Sequence, residues 1–161
     1  MISLKKERFY FGELDAPCPN VPLSPGVSAI LFNHEHRVLI MKRSSSDYWS
    51  LPGGRMEPGE SAMNCCIRET LEETGLTIQI VRLISINTDP RSIVSYPDGN
   101  IHQSFVLCFQ AEVIHCELLV SSESDGFLWL SPAELDSVLL TPDSRQNMLD
   151  AWANKEAAFL R

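Results

Sequence analysis

The sequence lacks the long apolar runs that mark a membrane span or a secretory signal. No run approaches the ~20 residues of a transmembrane helix, and the N-terminal stretch MISLKKERFYFGEL has no apolar signal core. The five cysteines are odd in number, lack zinc-ligand spacing and include the adjacent Cys65 and Cys66, which disfavours a disulfide framework. We therefore expect free thiols in a reducing, cytoplasmic compartment.

Positive charge is also scarce. Thirteen Lys and Arg residues against 21 Asp and Glu residues give a net charge of −8. A field of that sign disfavours binding to long nucleic acid or to an anionic membrane. It is compatible with a small phosphorylated substrate, because a bound metal ion reverses the sign of the charge locally.

The length and composition predict one globular domain. With 161 residues, 44% of them hydrophobic and 21% charged, the chain can bury a full core. We expect a single domain over residues 1–161, with an N-terminal extension at 1–26, a core over 27–140 and a C-terminal helix over 141–161. The proline-bearing extension is also where we expect a subunit contact, if the protein is a homodimer.

Apolar runs and turn signals predict a mixed β-sheet with helices on both faces. Residues 27–33 and 37–43 are β-branched runs on either side of a short polar loop, a pattern typical of a hairpin. The long strands at 77–89 and 101–113 are expected to pair, with a short edge strand at 9–11. Helices are predicted from Ser61 to Thr74, from Ser131 with Glu134 in a capping box, and from Pro142 to about Phe159.

Three carboxylates on one helix dominate the chemistry of residues 51–76. Glu69, Glu72 and Glu73 share one side of the helix, since residues three and four apart are neighbours. They lie in the C-terminal half, where the helix dipole favours cations, and Arg68 alone cannot balance them. Oxygen ligands with no nearby histidine or cysteine pair indicate Mg²⁺. This pattern predicts metal-assisted attack of water on a phosphate or diphosphate.

Together with the glycine turn before it, this helix resembles the signature of the Nudix hydrolases. The matching positions are Gly54, Glu60, Arg68, Glu69, Glu72, Glu73, Gly75 and Leu76, at the spacing of that signature. Thr70 departs from the pattern, which prefers a bulky aliphatic residue there. Gly54, Glu60, Arg68 and Gly75 are expected to shape the motif, with Gly75 ending the helix in the left-handed conformation.

The resemblance implies a Nudix-type α/β/α sandwich with a mixed β-sheet. It also implies hydrolysis of a nucleoside diphosphate linked to another moiety, X. By that resemblance Glu69, Glu72 and Glu73, with the carbonyl of Gly53, bind Mg²⁺, or Mn²⁺ in its place. Members often use a further acid from a later loop, and Glu123 is our candidate, with Asp125 as its rival; an ordinary loop glutamate is an equal alternative. The catalytic base is then Glu69 or Glu123.

Substrate contacts are harder to read from the sequence. Arg43 and Arg55 flank the turn before the helix, so each is a candidate for binding phosphate oxygens or an ordinary surface residue. The turn sequence YPDG at residues 96–99, with Pro90 before it, is similar to that of ADP-ribose pyrophosphatases, which favours ADP-ribose or a sugar nucleotide. A house-cleaning pyrophosphohydrolase of modified nucleoside triphosphates is the alternative. Trp49, Tyr96 and Phe105 could stack on a base or simply pack.

Two readings from other classes are weaker. A non-catalytic nucleotide-binding Nudix-like module would be expected to lack a signature glutamate, and all of them are present. An isomerase of the same fold, acting on isopentenyl diphosphate, needs its own cysteine and glutamate catalysts, and no such arrangement surrounds Cys108 or Cys116. We also expect the Glu73 side chain to lie outside the packed core.

Overall fold

The structure is a computed structural model that describes residues 6–115, 118–119 and 124–161. In chain order the elements are β1 (Arg8–Phe11), β2 (Gly26–Leu31), β3 (Val38–Arg43), β4 (Trp49–Ser50), α1 (Ala62–Thr74), β5 (Thr77–Asn87), β6 (Ser92–Ser95), β7 (Ile101–Gln103), β8 (Val106–His115), β9 (Ser124–Leu130), a 3₁₀ turn (Pro132–Glu134), α2 (Pro142–Ala153) and β10 (Phe159–Leu160). In this part of the chain no helix combines the length and the apolar character needed to cross a membrane.

The central sheet is mixed and lies between the two helices. Its strand order is β10-β5-β8-β2, with β5 and β8 antiparallel and the other two pairs parallel. Side chains of β2 alternate between its faces: Ala29 and Leu31 pack with Cys66 of α1, whereas Ile30 packs with Met148 of α2. Since successive strand residues point to opposite faces, each helix covers one face. The predicted α/β/α sandwich is confirmed.

The predicted hairpin between β2 and β3 is wrong beyond its turn. The turn itself forms, because the Asn33 side chain accepts hydrogen bonds from the Glu35 and Arg37 backbones. After a single bridge between Phe32 and Val38 the strands separate. β2 joins β8, while β3 lies between β4 and β9 in a second sheet. Both strands are almost wholly buried, so neither shows the polar-apolar alternation of a hairpin with one face in solvent. β2 pairs only with β8 at the edge of its sheet, whereas β3 has a neighbour on each side.

The N-terminal segment adds the expected edge strand. β1 pairs antiparallel with β6 at the edge of a third sheet, whose order is β1-β6-β7. The predicted pairing of 77–89 with 101–113 is confirmed for β5 and β8, although the second run is broken into β7 and β8. The helix predicted at Ser131 is only a 3₁₀ turn.

The last helix is shorter than predicted. α2 begins after Thr141, with Pro142 in its first turn, but it ends at Ala153 rather than near Phe159. Asn154 adopts the left-handed conformation (φ 47°), which terminates helices. The chain then returns to add β10 beside β5. The expected C-terminal helix over 141–161 is therefore a helix followed by a strand.

Candidate active site

Helix α1 is capped at both ends by the residues that the sequence places there. The hydroxyl of Ser61 accepts a hydrogen bond from the Asn64 backbone N–H at 3.2 Å. Gly75 is left-handed (φ 76°), and its N–H donates to the Leu71 carbonyl at 2.8 Å. The helix thus begins directly after the glycine-rich loop, and its orientation sets the positions of the carboxylates.

Glu73 ties the helix to that loop. Its side chain is buried, with the residue only 4% exposed, and Oε2 accepts a hydrogen bond from the backbone N–H of Gly53 at 2.7 Å. The expectation that Glu73 lies outside the packed core is therefore wrong. A hydrogen bond to a charged group contributes about 1.5–3 kcal/mol, and here it joins two segments that are 20 residues apart.

Both glycines of the turn lie close to other parts of the chain. A Cβ on Gly53 would lie 2.1 Å from the carbonyl oxygen of Val27, and Gly53 has φ +152°. A Cβ on Gly54 would lie 2.3 Å from the carboxylate carbon of Glu69. The loop backbone therefore approaches strand β2 at Gly53, where only glycine fits, and the Glu69 carboxylate at Gly54, where a side chain would displace that carboxylate.

Arg68 connects three of the four signature carboxylates. Its guanidinium donates to Glu60 at 2.7 and 3.0 Å, to Glu69 at 2.8 Å and to Glu72 at 3.2 Å. Its Nη2 also donates to the backbone carbonyl of Arg55. The hydrogen bonds from Arg68, with one from the Glu57 backbone, lower the pKa of Glu60 to about 2, and they raise the pKa of Arg68.

The three glutamates line one open cavity of about 530 Å³. The side chain of Glu72 is 58% exposed and that of Glu69 is 15% exposed, whereas Glu73 is buried. Within the described residues, no three acidic, histidine or cysteine side chains already converge on one metal position. The donor set is nevertheless all oxygen, and one arginine faces four carboxylates, so its chemistry suits a hard divalent cation.

The two candidate arginines lie on the wall of this cavity. Arg43, at the end of β3, forms a two-point ion pair with Glu7 through Nε (2.9 Å) and Nη2 (3.2 Å). Arg55 is exposed and stacks over the ring of Tyr96, 4.8 Å from its centre. The structure thus brings both arginines to the cavity that holds the glutamates, but Arg43 is already paired.

Of the two candidate acids after the motif, only Asp125 lies within the described residues. Glu123 lies outside the described residues. Asp125 is exposed in β9, next to the point where the register of β9 against β3 shifts between Lys42 and Arg43. Of the three candidate stacking residues, Tyr96 and Phe105 line the cavity, whereas Trp49 packs against the core cluster.

Sequence reasoning missed a half-buried acid in the cavity, Asp143. Asp143 accepts hydrogen bonds from Asn87 (2.6 Å), Ser92 (3.0 Å) and Ser104. Burial raises the pKa of this carboxyl, against the opposing effect of its hydroxyl partners. The only sequence signal was an aspartate in the first turn of a helix, which usually has a dipole role.

His102 was also missed. It lines the cavity, and its ring meets Tyr96 edge-on at 5.3 Å. Its buried Nε2 has no hydrogen-bond partner among the residues that the structure describes. Burial, and then the positive charge of Arg55, lower its pKa. The position of this histidine in the sequence does not indicate that it lines the cavity. It lies on β7, which is brought to the cavity by the pairing of strands in the sheet of β1, β6 and β7.

The two neighbouring glycines predict different mutant behaviour. Gly53→Ala should destabilise the fold by about 3 kcal/mol, because the clash is with backbone. Gly54→Ala should leave the fold intact and lower kcat/KM roughly 100-fold, since the flexible Glu69 side chain must move. Urea denaturation and turnover measurements distinguish the two. Gly99→Ala serves as the comparison: Gly99 has φ +92° but no atom lies within 4 Å of the new Cβ, so this variant measures the cost of a positive φ without a clash. Equal behaviour of Gly53→Ala and Gly54→Ala would contradict this account.

The Glu60–Arg68 pair predicts a pH-dependent contribution to stability. The folded pKa of Glu60, about 2, lies below the ordinary glutamate value of about 4.3. The stabilisation is therefore complete above that ordinary value and is lost as the pH falls from about 4.3 towards 2. The difference in the free energy of unfolding between wild type and Glu60→Gln, measured in urea, should shrink over this window. A difference that is constant from pH 6 to pH 2.5 would contradict the assignment.

Comparison with known proteins identifies the family. The family model described as NUDIX domain matches residues 22–151. A candidate 8-oxo-dGTP diphosphatase of Bacillus subtilis (strain 168) is 30% identical over 121 residues, which are 75% of this chain and 75% of that protein.

Solved structures share the fold. A NUDIX hydrolase from Nitrosomonas europaea has a TM-score of 0.67 at 23% identity, covering 83% of this chain and 91% of that one. An ADP-ribose pyrophosphatase from Streptococcus suis 89-1591 has a TM-score of 0.63 at 18% identity, covering 87% of this chain and all of that one. The chain therefore belongs to the NUDIX family, and its enzyme class is the pyrophosphatases acting on phosphoric anhydrides.

Proposed function

We propose that the protein is a Mg²⁺-dependent hydrolase of a nucleoside diphosphate linked to X, with ADP-ribose or a sugar nucleotide as the preferred class. One observation carries the proposal: the three glutamates of α1 share a single cavity with Arg43, Arg55 and the ring of Tyr96. Its volume of about 530 Å³ lies within the range of roughly 300–1,000 Å³ common for small-molecule sites. Acidic, basic and aromatic groups there suit a metal, a diphosphate and a base.

The metal would be held by oxygen ligands at the junction of loop and helix. Glu69, Glu72 and Glu73, with the carbonyl of Gly53, are the residues that would hold Mg²⁺, or Mn²⁺ in its place. When bound, the ion would neutralise phosphate charge and lower the pKa of a water molecule. Glu73 has a second role, because its bond to the Gly53 N–H holds the loop against the helix.

The reaction consumes one water molecule per anhydride bond. A water oxygen attacks one phosphorus and the bridging oxygen leaves with the other phosphate. The products are two phosphate monoesters, and both hydrogens of the water are released as protons when the monoesters are fully ionised. Glu69 is the proposed base, because its carboxylate lies against the Gly54 backbone and borders the cavity. Glu123 remains the alternative base.

The arginines would stabilise negative charge that develops on the phosphate oxygens. Arg43 lies in the wall with Gly53 and Glu73, so it would contact the phosphate nearest the metal ligands. Arg55 and Tyr96 stack on each other at an exposed position, and we propose that Tyr96, with Phe105, contacts the base or the X group.

A second candidate is hydrolysis of modified nucleoside triphosphates. The observation that favours it is Asp143, a half-buried acid in the cavity whose pKa is raised by burial. When protonated it can donate a hydrogen bond to a nucleobase, which an ionised carboxylate cannot do. The Bacillus subtilis relative is named for 8-oxo-dGTP, a substrate of this type.

Location and assembly are also proposed. The described cysteines Cys18, Cys65, Cys66 and Cys108 are free, which supports a reducing, cytoplasmic compartment. The homodimer remains a prediction.

Glu72→Gln should remove most Mg²⁺-dependent turnover while leaving the fold intact. Glu72 is the most exposed of the proposed ligands, so its loss should not disturb packing. We expect a decrease in kcat of about 100-fold or more, with unfolding by urea unchanged. The control is Glu112→Gln, an exposed glutamate on β8, which should retain full turnover. Unchanged turnover in Glu72→Gln would contradict the metal assignment.

The substrate class is tested by identifying the products that the protein releases from a panel of nucleotides. ADP-ribose, sugar nucleotides, dinucleoside polyphosphates, 8-oxo-dGTP and ordinary nucleoside triphosphates are incubated with Mg²⁺ or Mn²⁺. The proposal predicts release of AMP with ribose 5-phosphate from ADP-ribose, whereas the second candidate predicts a nucleoside monophosphate with pyrophosphate. Absence of turnover on every compound would overturn the hydrolase proposal.

A further inference from the structure

The N-terminal segment is built into the wall of the catalytic cavity. Residues 6–11 lie outside the stretch that matches the family, 22–151. Lys6 pairs with Asp47 at 2.6 Å, and the ring of Phe9 meets Tyr48 edge-on at 4.9 Å. The segment is therefore anchored on the loop that follows β3, and Phe9 lines the cavity.

Glu7 is the buried member of this segment. Its side chain is only 7% exposed, and it faces an Arg43 side chain that is 24% exposed. The two groups form parallel hydrogen bonds, Nε to Oε2 at 2.9 Å and Nη2 to Oε1 at 3.2 Å. A two-point carboxylate–arginine pair fixes the plane of the guanidinium as well as its position.

This pairing leaves one edge of Arg43 available. Nε and Nη2 are used by Glu7, and Nη1 donates no hydrogen bond to any residue in the described part of the chain. Arg43 lines the cavity beside Gly53 and Glu73. Burial lowers the pKa of Arg43, but the hydrogen bond and charge of Glu7, with Tyr96 and Glu73, raise it more, so the guanidinium stays charged.

We propose that Glu7 is a positioning residue that orients Arg43, so that its remaining Nη1 edge contacts the substrate diphosphate. This inference rests on the proposed hydrolase function, and it makes the N-terminal segment part of the catalytic site. A flexible arginine would lose conformational freedom each time that substrate binds, whereas one held by Glu7 has already lost it. The alternative is that Glu7 only anchors the N-terminal strand.

A double-mutant cycle separates the two roles. The variants are Glu7→Gln, Arg43→Ala and the double variant, assayed on the best substrate of the panel at a temperature where circular dichroism shows each to be folded. We expect Glu7→Gln to lower kcat/KM about tenfold, mainly through KM. In the Arg43→Ala background the same change should have less than about a twofold effect, because Glu7 acts through Arg43. Lys6→Ala, which removes a neighbouring exposed anchor, should retain full activity.

An NMR measurement tests the pair without turnover. The Nε–H signal of Arg43, assigned by its loss in Arg43→Lys, should shift in Glu7→Gln and stay unchanged in Lys6→Ala. If Glu7→Gln does not fold, Glu7→Asp, which keeps the charge but shortens the side chain, takes its place in the cycle.

The outcomes distinguish this inference from the proposed function. Unchanged kcat/KM in Glu7→Gln, or an equal decrease with and without Arg43, overturns the positioning role while leaving the hydrolase function in place. Loss of activity in Lys6→Ala equal to that in Glu7→Gln indicates simple anchoring of the strand and also overturns it. Wild-type protein that cleaves no compound in the panel overturns the proposed function, and the positioning role with it.

Discussion

The hydrogen bond between the Glu73 carboxylate and the Gly53 N–H is the contact on which the rest of the site depends. It joins the end of α1 to the loop before it, and burial protects it from competing water. Gly53 lies so close to the backbone of β2 that no side chain fits there. The helix, the loop and the central sheet are therefore locked together, and Glu69 and Glu72 take their positions from this junction.

The cavity next to this junction is assembled from parts that are distant in sequence. The glutamates come from α1, Arg43 from the second sheet, Tyr96 and His102 from around the third sheet, and Asp143 from the start of α2. Three glutamates lie on one helix, while the other walls carry two arginines, aromatic rings and the half-buried Asp143. This separation of the glutamates from the aromatic groups suits a substrate with a charged diphosphate and a less charged end.

Sequence reasoning succeeded where local patterns decide the structure and failed where long-range pairing does. The bounds of α1 follow from Ser61 and Gly75, and the pairing of β5 with β8 follows from two long apolar runs. The β2–β3 hairpin was wrong because local alternation cannot say which partner a buried strand will choose. The end of α2 was missed because a single left-handed asparagine stopped the helix. The burial of Glu73 was missed because its partner is a backbone N–H.

The sequence by itself determined the family, the helix that carries the glutamates and the need for glycine before it, because these depend on spacing within 26 residues. Only the tertiary structure decided that Arg43 is paired with Glu7, that Asp143 and His102 line the cavity, and that the N-terminal strand forms one of its walls. Those contacts join residues up to 87 positions apart, as in the pairing of Arg8 with Ser95, and no local periodicity encodes them. Within residues 51–76, the tertiary structure changed the role of Glu73, which is both a candidate ligand and the buried anchor of the glycine loop.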